Sequence, residues 1–273
     1  MHPANLYPVP AGDDDHVQGG LRDRLGRSFG AVAPQYAAAR PQYPETLVAD
    51  IVRSGTDVLE LGAGTGLLTR TLVSFGLASL VATDLDPQML QELHGDLPAT
   101  PTVVARAEHL PFPDQQFDLV IVGQAAHWFD LKPAAQEIRR VLRPGRELAL
   151  LWNHRSLQVD WVAQFDRITR AYAVGTVDRE VAEEISATGC FGPFSLRKAT
   201  FEHRVDLEGA RSLVQSFSHV STLPPDTRAA VIEEAVEHLR LRADQNGVVS
   251  IPYYCEAYVA PVIGKNAESE AEL

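Results

Sequence analysis

The feature that most constrains the fold is an apolar run that leads into three glycines at every second position. The segment Asp57-Val-Leu-Glu-Leu-Gly-Ala-Gly-Thr-Gly-Leu-Leu-Thr-Arg70 begins with residues suited to a strand buried on both faces. Gly62, Gly64 and Gly66 then allow the backbone to turn sharply and to approach a ligand closely. The helix predicted after this turn presents free N–H groups at its start. The segment therefore predicts a nucleotide-type cofactor site.

The spacing of the glycines excludes two common phosphate-binding loops. A dinucleotide fingerprint needs glycine at the first, third and sixth positions, and the sixth position counted from Gly62 is Leu67. A Walker A loop needs Gly-Lys-Ser/Thr, which does not follow here. The remaining pattern is an acidic residue, Glu60, followed by Gly-x-Gly-x-Gly.

A second predicted strand ends in a carboxylate about 20 residues after the glycine loop. Leu80-Val-Ala-Thr-Asp84 is apolar up to its last residues, and in open α/β sheets an acid at this place binds ribose hydroxyls. Asp84 is therefore the predicted ribose ligand, with Leu85 next to it. The alternative is that Asp84 caps the helix that begins near Pro87, although Asp86 is better placed for that cap.

Three further elements follow at similar intervals. A short strand, Thr102–Ala105, precedes the loop Arg106-Ala-Glu-His-Leu-Pro-Phe-Pro-Asp114. The strand Phe117–Val122 precedes Gly123-Gln-Ala-Ala-His-Trp-Phe-Asp130. Because ligands bind outside the carboxyl ends of the strands in such sheets, the loop at 123–130 is predicted to face both cofactor and substrate. A helix over Lys132–Leu142, a turn at Arg143-Pro-Gly145 and a strand over Arg146–Trp152 complete this part of the chain.

In order and spacing these segments resemble the class I S-adenosylmethionine-dependent methyltransferases, whose first motif has the form Glu-x-Gly-x-Gly-x-Gly. The string Gln-Ala-x-His-Trp-Phe and the segment Leu-Arg-Pro-Gly resemble the type 11 branch, which includes trans-aconitate methyltransferase-like proteins, and the resemblance covers residues 28–155. It implies S-adenosyl-L-methionine as cofactor and S-adenosyl-L-homocysteine as product. It also implies an α/β, Rossmann-like fold: a seven-stranded, mostly parallel sheet with helices on both faces, an antiparallel last strand and a helical cap.

The resemblance also assigns the cofactor residues. They are Glu60, which would hold the methionine amino group, together with Gly62, Ala63, Gly64, Gly66, Asp84, Leu85, Ala107, Glu108 and Gln124. Arg106 stands where many relatives have an aspartate that reaches the adenine amino group, so the adenine side rests on Ala107 and Glu108. The alternative for Glu60 is a structural hydrogen bond to the N–H groups of the loop itself.

An N-terminal segment resembles the part of the family that folds over the bound cofactor. Residues 29–44 match Phe-x-x-x-Ala-x-x-Tyr-x-x-x-Arg-Pro-x-Tyr-Pro, and Tyr36 and Arg40 lie four residues apart, on one face of a helix. This predicts that the Arg40 guanidinium approaches the methionine carboxylate. The alternative is that Tyr36 and Tyr43 pack on the core while Arg40 pairs with a surface acid.

Methyl transfer from an activated sulfonium needs alignment and exclusion of water more than it needs a catalytic group. If the acceptor needs a base, His127 is the candidate, because its loop leaves the fourth strand and histidine titrates near neutrality. The alternative is that His127 only braces the loop or stacks on adenine. Trp128, Asn153 and His154 are predicted substrate contacts along with His127, on the same side of the sheet.

Residues after Trp152 alternate between helix-like and strand-like patterns. Helices are predicted over 160–173, 177–188, 207–218 and 226–243, and strands over 195–205 and 250–260. Residues 21–155 are predicted as the cofactor-binding core with its N-terminal lid segment, and 156–263 as cap helices plus the last two strands of the same domain. Residues 156–190 and 206–247 would form the cap itself. An acidic acceptor would need converging arginines, for which Arg155, Arg204 and Arg211 are candidates.

Composition limits the partners. The 273-residue chain carries a net charge of −12 and lacks a basic run, which argues against a nucleic acid partner. It has neither an apolar run of about 18 residues nor a signal-like start, which predicts no membrane span and a cytoplasmic location. Cys190 and Cys255 are expected to be buried and reduced, and no metal motif occurs. Residues 1–20 and 264–273 are predicted to be loose tails, and the protein to be a monomer or homodimer.

Three functions from different classes are compatible with these residues. The first is a methyltransferase that acts on a small-molecule O-, C- or N-nucleophile, in secondary metabolism. The second is a protein that binds S-adenosylmethionine but catalyses a cyclisation or rearrangement of a natural product. The third is a regulator with a methyltransferase fold, which a broken glycine loop would favour, and the loop of this chain is intact.

Overall fold

The computed structural model describes residues 40–170 and 178–263. The predictions for Tyr36, for the tails at 1–20 and 264–273 and for the helix residues at 171–177 lie outside the described residues. The part of the lid segment before residue 40 lies outside them as well.

Strands and helices alternate along most of the described chain. The strands are β1 Asp57–Leu61, β2 Ser79–Asp84, β3 Thr102–Val104, β4 Phe117–Gly123, β5 Leu142–Arg155, β6 Ser195–Asp206 and β7 Val248–Pro261. The α-helices are α1 Glu45–Ile51, α2 Leu67–Leu72, α3 Pro87–Asp96, α4 Leu131–Val141, α5 Asp160–Arg170, α6 Asp178–Ala187, α7 Leu207–Gln215, α8 Ser218–Ser221 and α9 Pro225–Arg240. Short 3-10 turns lie at Val73–Phe75 and Ala126–Trp128.

The described strands form one seven-stranded sheet in the order β3-β2-β1-β4-β5-β7-β6. Strands β1 to β5 pair in parallel, whereas β7 pairs antiparallel with both β5 and β6. The chain reverses its strand order between β3 and β4, so the carboxyl ends of β1 and β4 flank the crevice where open α/β sheets bind ligands. The predicted Rossmann-like fold with an antiparallel last strand is confirmed.

Side chains of the central strands alternate between the two faces of the sheet, and both faces are buried. On one face, Leu59, Leu61 and Trp152 pack with α4 and α6. On the other face, Val58 and Ile121 pack with α1 and α2, as do residues of β5 and β7. Because successive side chains of a strand point to opposite faces, a near-continuous apolar run is what a doubly covered strand needs.

The helices that follow β5 belong to two layers. Helices α5, α7, α8 and α9 enclose a separate apolar cluster with the ends of β6 and β7, centred on the buried residues Phe165, Phe217 and Tyr253. Helix α6 instead packs beside α4 on the core, through Val181, Ala182 and Ile185. Of the residues predicted to form the cap, only α5 and α7–α9 lie in this second layer.

Two element boundaries differ from the sequence prediction for a physical reason. Helix α4 ends at Val141, and the predicted turn at Arg143-Pro-Gly145 lies within the span of β5 as an irregularity, where the β4 pairing jumps from Leu142 to Glu147. Strand β5 also continues past Trp152 to Arg155, because β7 pairs with it from Glu147 to Arg155. A partner strand remote in sequence cannot be inferred from the local pattern.

Each cysteine is buried and free, and they lie on opposite faces of the sheet. Cys190 packs with the α4 layer and Cys255 with the α1 and α2 layer. Burial raises the pKa of the Cys255 thiol to about 12, so this thiol is unreactive at neutral pH. No helix within the described ranges has the length and apolar character needed to cross a membrane.

A charged cluster closes the amino ends of β1, β4 and β5. Asp118 accepts a hydrogen bond of 3.1 Å from the backbone N–H of Asp57, and it pairs with Arg143 at 2.9 Å and Arg146 at 3.1 Å. Burial alone would raise the pKa of Asp118, but the Asp57 N–H and the two guanidiniums hold it below its usual value of 3.8. The ionised carboxylate therefore stabilises the fold.

Substitution Asp118→Asn is expected to lower the free energy of unfolding by about 1–2 kcal/mol at pH 7, because it removes the charge from this cluster. Since the folded-state pKa of Asp118 is lowered, its contribution is present above the unfolded pKa and is lost as the pH falls through the folded value. Urea denaturation at pH 7 and at about pH 2.5, below the usual pKa of 3.8, measures the difference, which should shrink at the lower pH. The matched control is Asp114→Asn, because Asp114 is exposed and pairs with Arg140; equal losses in both variants would refute the prediction.

Candidate functional site

The glycine loop lies at the carboxyl end of β1, and each of its three glycines has a positive φ. Gly62 (φ 65°) faces the loop after β4, where an added Cβ would lie 2.4 Å from the Cβ of Ala125. Gly64 (φ 57°) differs, because a Cβ there would meet no atom within 4 Å. Gly62 is thus required by the protein's own packing, whereas Gly64 presents bare backbone to open space, as a ligand surface needs.

Asp84 holds this loop in place. Its Oδ2 accepts a 2.8 Å hydrogen bond from the Gly64 N–H, and its Oδ1 accepts a 2.9 Å bond from the Asp86 N–H. Burial raises the pKa of Asp84 against the effect of those two N–H donors. Asp86 accepts from the Gln88 N–H at 2.9 Å and so caps α3. The expectation that Asp86, rather than Asp84, caps this helix is therefore confirmed. Asp84 instead accepts from the N–H of the glycine loop.

Glu60 is buried below the loop, with 1% of its surface exposed. Its Oε2 accepts a 2.7 Å hydrogen bond from the Thr69 hydroxyl, in the first turn of α2. The partners of Glu60 are thus the hydroxyl and the backbone N–H of Thr69, in the helix after the loop. Burial raises the pKa of Glu60 to about 8, with the nearby charge of Asp84 adding to the effect and the Thr69 bond opposing it. Thr69 could not be identified from the sequence as a partner of Glu60, because no motif distinguishes it from the other residues of the helix after the loop.

The loop after β3 supports the loop after β4. Glu108 is buried, and its Oε1 accepts a 2.7 Å hydrogen bond from the Asp130 N–H, while its Oε2 lies 3.5 Å from the Arg106 Nε. Ala107, also buried, packs with the α4 layer. The carboxylate of Glu108, predicted as an adenine-side ligand, is therefore engaged in ordering the segment that contains His127.

His127 lies in the 3-10 turn Ala126–Trp128, and its ring centroid is 4.9 Å from that of Trp128. Burial lowers the pKa of His127 to about 4. The expectation that His127 titrates near neutrality is therefore wrong for this structure, because the desolvated imidazolium is too costly. His127 is neutral at pH 7, and its low basicity makes it a poor general base.

Asn153 and His154 lie on opposite faces of β5. Residues 40–44, which precede α1, are called the strap. Asn153 binds the strap, because its Nδ2 donates to the Pro41 carbonyl at 3.2 Å and to the Gln42 carbonyl at 3.3 Å. His154 stacks on Tyr254 with ring centroids 5.0 Å apart. The expectation that the strand ends at Trp152, before these two residues, is wrong, because β5 continues through them to Arg155. Their role as substrate contacts stays a prediction. Trp152, whose place was expected to be core or pocket wall, is 1% exposed and belongs to the core.

Gln124 connects the end of β4 to the end of β5. It adopts a positive φ of 57°, and its Nε2 donates a 3.0 Å hydrogen bond to the Asn153 carbonyl. The Asn153 Oδ1 is buried without a hydrogen-bond partner. An unsatisfied buried acceptor beside the carboxyl end of β4 fits a ligand that brings its own donor.

Arg40 contacts the cap rather than the glycine loop. Its Nε donates to the Ser216 hydroxyl at 2.9 Å, its Nη2 donates to the Ser216 carbonyl at 2.7 Å, and its guanidinium lies 5.1 Å from the centre of the Phe217 ring. Tyr43 is buried on the core and its hydroxyl lies against Gly123. The contacts of Arg40 thus differ from the predicted approach to a methionine carboxylate.

No group of three or more His, Cys, Asp or Glu side chains in the described ranges is arranged to hold a metal ion. The carboxylates near the loop are instead occupied by N–H and hydroxyl donors.

Substitution Glu60→Gln is expected to remove a pH dependence of stability. Burial raises the folded-state pKa of Glu60 from 4.5 to about 8. The free energy of unfolding of the wild type should therefore fall by about 2–3 kcal/mol between pH 6 and pH 8 because of this group. The amide of Gln keeps an acceptor for Thr69 but cannot ionise. Denaturation of both proteins at the two pH values measures the effect, and parallel losses would contradict the raised pKa.

Comparisons with known proteins agree with this geometry. Residues 59–150 match the family model described as a methyltransferase domain. An uncharacterized methyltransferase of Mycobacterium tuberculosis is 33% identical over 236 residues, which cover 85% of this chain and 94% of the relative.

Two solved structures share the fold. One, described as a type II methyltransferase from Anaeromyxobacter dehalogenans, has a TM-score of 0.63 and 23% identity, and the match covers 81% of this chain and 97% of that one. The other is a phosphoethanolamine N-methyltransferase of Haemonchus contortus in complex with S-adenosyl-L-methionine, with a TM-score of 0.52 and 18% identity; the match covers 88% of this chain and 59% of that one. Since the mycobacterial relative matches over nearly the full length of both chains, the chain belongs to the class I S-adenosylmethionine-dependent methyltransferases.

Proposed function

We propose that this protein transfers a methyl group from S-adenosylmethionine to a small-molecule acceptor. The observation that carries the proposal is the bare backbone of Gly64, which faces open space while its N–H is held by the carboxylate of Asp84. This pairing positions a glycine loop and an acid at the switch point of the sheet, where an adenosyl group fits. The net charge of −12 favours a small acceptor over a nucleic acid.

The cofactor would be held by groups from four strand ends. The glycine loop would face the methionine part, Asp84 would accept from the ribose hydroxyls with the oxygen lone pairs not taken by its N–H donors, and the segments at Leu85, Ala107 and Glu108 would enclose the adenine. Beside Gln124, the unsatisfied Asn153 Oδ1 would accept a hydrogen bond from an ammonium or hydroxyl group of the ligand.

When bound, S-adenosylmethionine supplies an electrophilic methyl group that the lone pair of the acceptor takes as the C–S electrons return to sulfur, leaving S-adenosylhomocysteine. The residues of this chain then act by holding the acceptor in line and excluding water. Trp128 and the neutral His127 pack against each other in the loop after β4 and would form part of the wall that excludes water. His127 is assigned a contact role because its lowered pKa makes it a weak proton acceptor.

The experiment that tests the function couples binding to turnover. The purified protein is titrated with S-adenosylmethionine by calorimetry and then incubated with small acids, phenols and polyketide or alkaloid intermediates while S-adenosylhomocysteine is followed by mass spectrometry. Acceptor-dependent formation of S-adenosylhomocysteine supports methyl transfer. Conversion of an intermediate with the cofactor bound but not consumed would instead show a cyclisation or rearrangement, and absence of cofactor binding would refute the proposal.

Substitution Gly64→Ala is expected to weaken S-adenosylmethionine binding by about tenfold or more, because the new methyl group would occupy the space that the ligand needs. The matched control is Gly145→Ala. Gly145 also has a positive φ (71°) and no atom within 4 Å of an added Cβ, but it lies in the β5 irregularity at the amino end of the sheet. Both variants should share a backbone strain of about 1–2 kcal/mol.

Titration calorimetry and thermal unfolding of the two variants separate the effects. Loss of affinity in Gly64→Ala alone supports a ligand at the glycine loop. Similar affinity for both variants and the wild type would place the cofactor elsewhere.

A further inference from the structure

A buried threonine at the start of α2 holds the side chain of Glu60. Thr69 has 0% of its surface exposed, and its hydroxyl donates a 2.7 Å hydrogen bond to the Glu60 Oε2. The backbone N–H of Thr69 also interacts with this carboxyl group and lowers its pKa. Two donors to Glu60 therefore come from one residue, nine positions further along the chain.

The contact between Glu60 and Thr69 spans the glycine loop. Glu60 precedes the loop in β1, and Thr69 follows it in the first turn of α2. The N-cap of that helix is Gly66, which has no side chain to satisfy the first N–H groups. Within residues 62–66 the one hydroxyl, that of Thr65, is buried and makes no hydrogen bond with the described chain. Thr69, and not the loop itself, therefore holds the carboxyl group.

The main chain of Glu60 is fixed by other contacts. Its carbonyl accepts a 3.0 Å hydrogen bond from the Thr83 hydroxyl in β2, and its backbone is in register with Ala82 on one side and Ile121 on the other. Loss of the Thr69 hydroxyl would thus release the Glu60 side chain while β1 stays in place. A released glutamate side chain has several rotatable bonds, so its carboxyl group would no longer have one orientation.

The charge near this carboxyl group suits a cationic ligand. Among the described groups, the charge that acts on Glu60 is that of Asp84, which has the same sign and raises the pKa of Glu60. Asp84 itself accepts from the N–H groups of Gly64 and Asp86, which are neutral donors. Two neighbouring carboxyl groups in a desolvated place are costly to ionise unless a cation joins them. An ammonium group of a ligand would supply that cation.

We propose that Thr69 is a positioning residue for the cofactor, because it holds the Glu60 carboxylate ready to accept the ammonium group of the methionine part. This inference rests on the proposed function and adds a residue that lies outside the glycine motif. Thr69 acts through Glu60, so its effect should be confined to ligands that carry the ammonium group.

The test compares two ligands that share adenosine and sulfur. S-adenosylhomocysteine carries the amino acid part, whereas methylthioadenosine ends in a methyl group. Each is titrated by calorimetry at pH 7 into the full chain as wild type, Thr69→Val, Thr69→Ser and Thr83→Val. The readout is the ratio of the two affinities, because a general loosening of the loop would weaken both ligands alike.

Thr69→Val should weaken S-adenosylhomocysteine by about tenfold and methylthioadenosine by less than about twofold, because the lost hydroxyl serves the carboxylate alone. Thr69→Ser retains the hydroxyl and should keep the wild-type ratio. Thr83→Val is the matched control. It removes a buried hydroxyl that contacts the backbone of Glu60 and not its carboxyl group, so the ratio should not change.

A pH series adds a readout that a purely structural role would not change. The pKa of Glu60 is raised to about 8, and the Thr69 donors oppose the rise, so their loss raises it further. Because the ammonium group binds the ionised carboxylate, the deficit of Thr69→Val for S-adenosylhomocysteine should be larger at about pH 7 than at about pH 8.5. If Thr69→Val fails to fold, Thr69→Cys carries the test. Its thiol is a weak donor, and it should weaken S-adenosylhomocysteine selectively, by about threefold or more.

Three results would overturn the inference: equal weakening of both ligands by Thr69→Val, an unchanged affinity for S-adenosylhomocysteine, or a change of the ratio in Thr83→Val as large as that in Thr69→Val. The wild type separates this inference from the proposed function. If the wild type binds both ligands and the ratio is insensitive to Thr69, the positioning role alone is refuted. If the wild type binds neither S-adenosylhomocysteine nor S-adenosylmethionine, the methyltransferase function itself is refuted.

Discussion

The hydrogen bond from the Gly64 N–H to the half-buried carboxylate of Asp84 is the contact on which the arrangement of the site depends. It joins the loop after β1 to the end of β2, while the approach of Gly62 to Ala125 joins the same loop to the segment after β4. Three strand ends are thereby held in one geometry. Since a buried carboxylate needs donors, the loop N–H and Asp84 stabilise each other, and the outer face of Gly64 stays open.

Strand β5 relates this surface to the cap. Its residue Asn153 accepts a hydrogen bond from Gln124 through its carbonyl and donates to the strap at 41–42 through its side chain. Two residues further on, Arg155 reaches Asp166 and Thr169 of α5. A single strand thus sets the separation between the surface beside Gln124 and helix α5 of the cap. For a reaction that depends on alignment, this separation is the property that the fold must control.

Much of the architecture could be predicted because its signals are local. Buried parallel strands need continuous apolar runs, and positive-φ turns need glycine, so the segments around Val58, Leu80 and Phe117 were found together with the loop after β1. The cap of α3 by Asp86 also follows from local spacing. The length of β5 was missed, because its last residues are stabilised by β7 about 100 residues later, so Asn153 and His154 were not expected to belong to the strand.

The sequence by itself determined the fold class, the position of the glycine loop and the identity of the acid at the end of β2, because each depends on neighbours within a few residues. Tertiary structure alone decided the electrostatics. Burial makes His127 a weak base and Glu60 a weak acid, and packing of the cap brings the Arg155 guanidinium beside the rings of Phe165 and Phe217. Desolvation and long-range charge depend on which segments cover a residue, and those segments are distant along the chain.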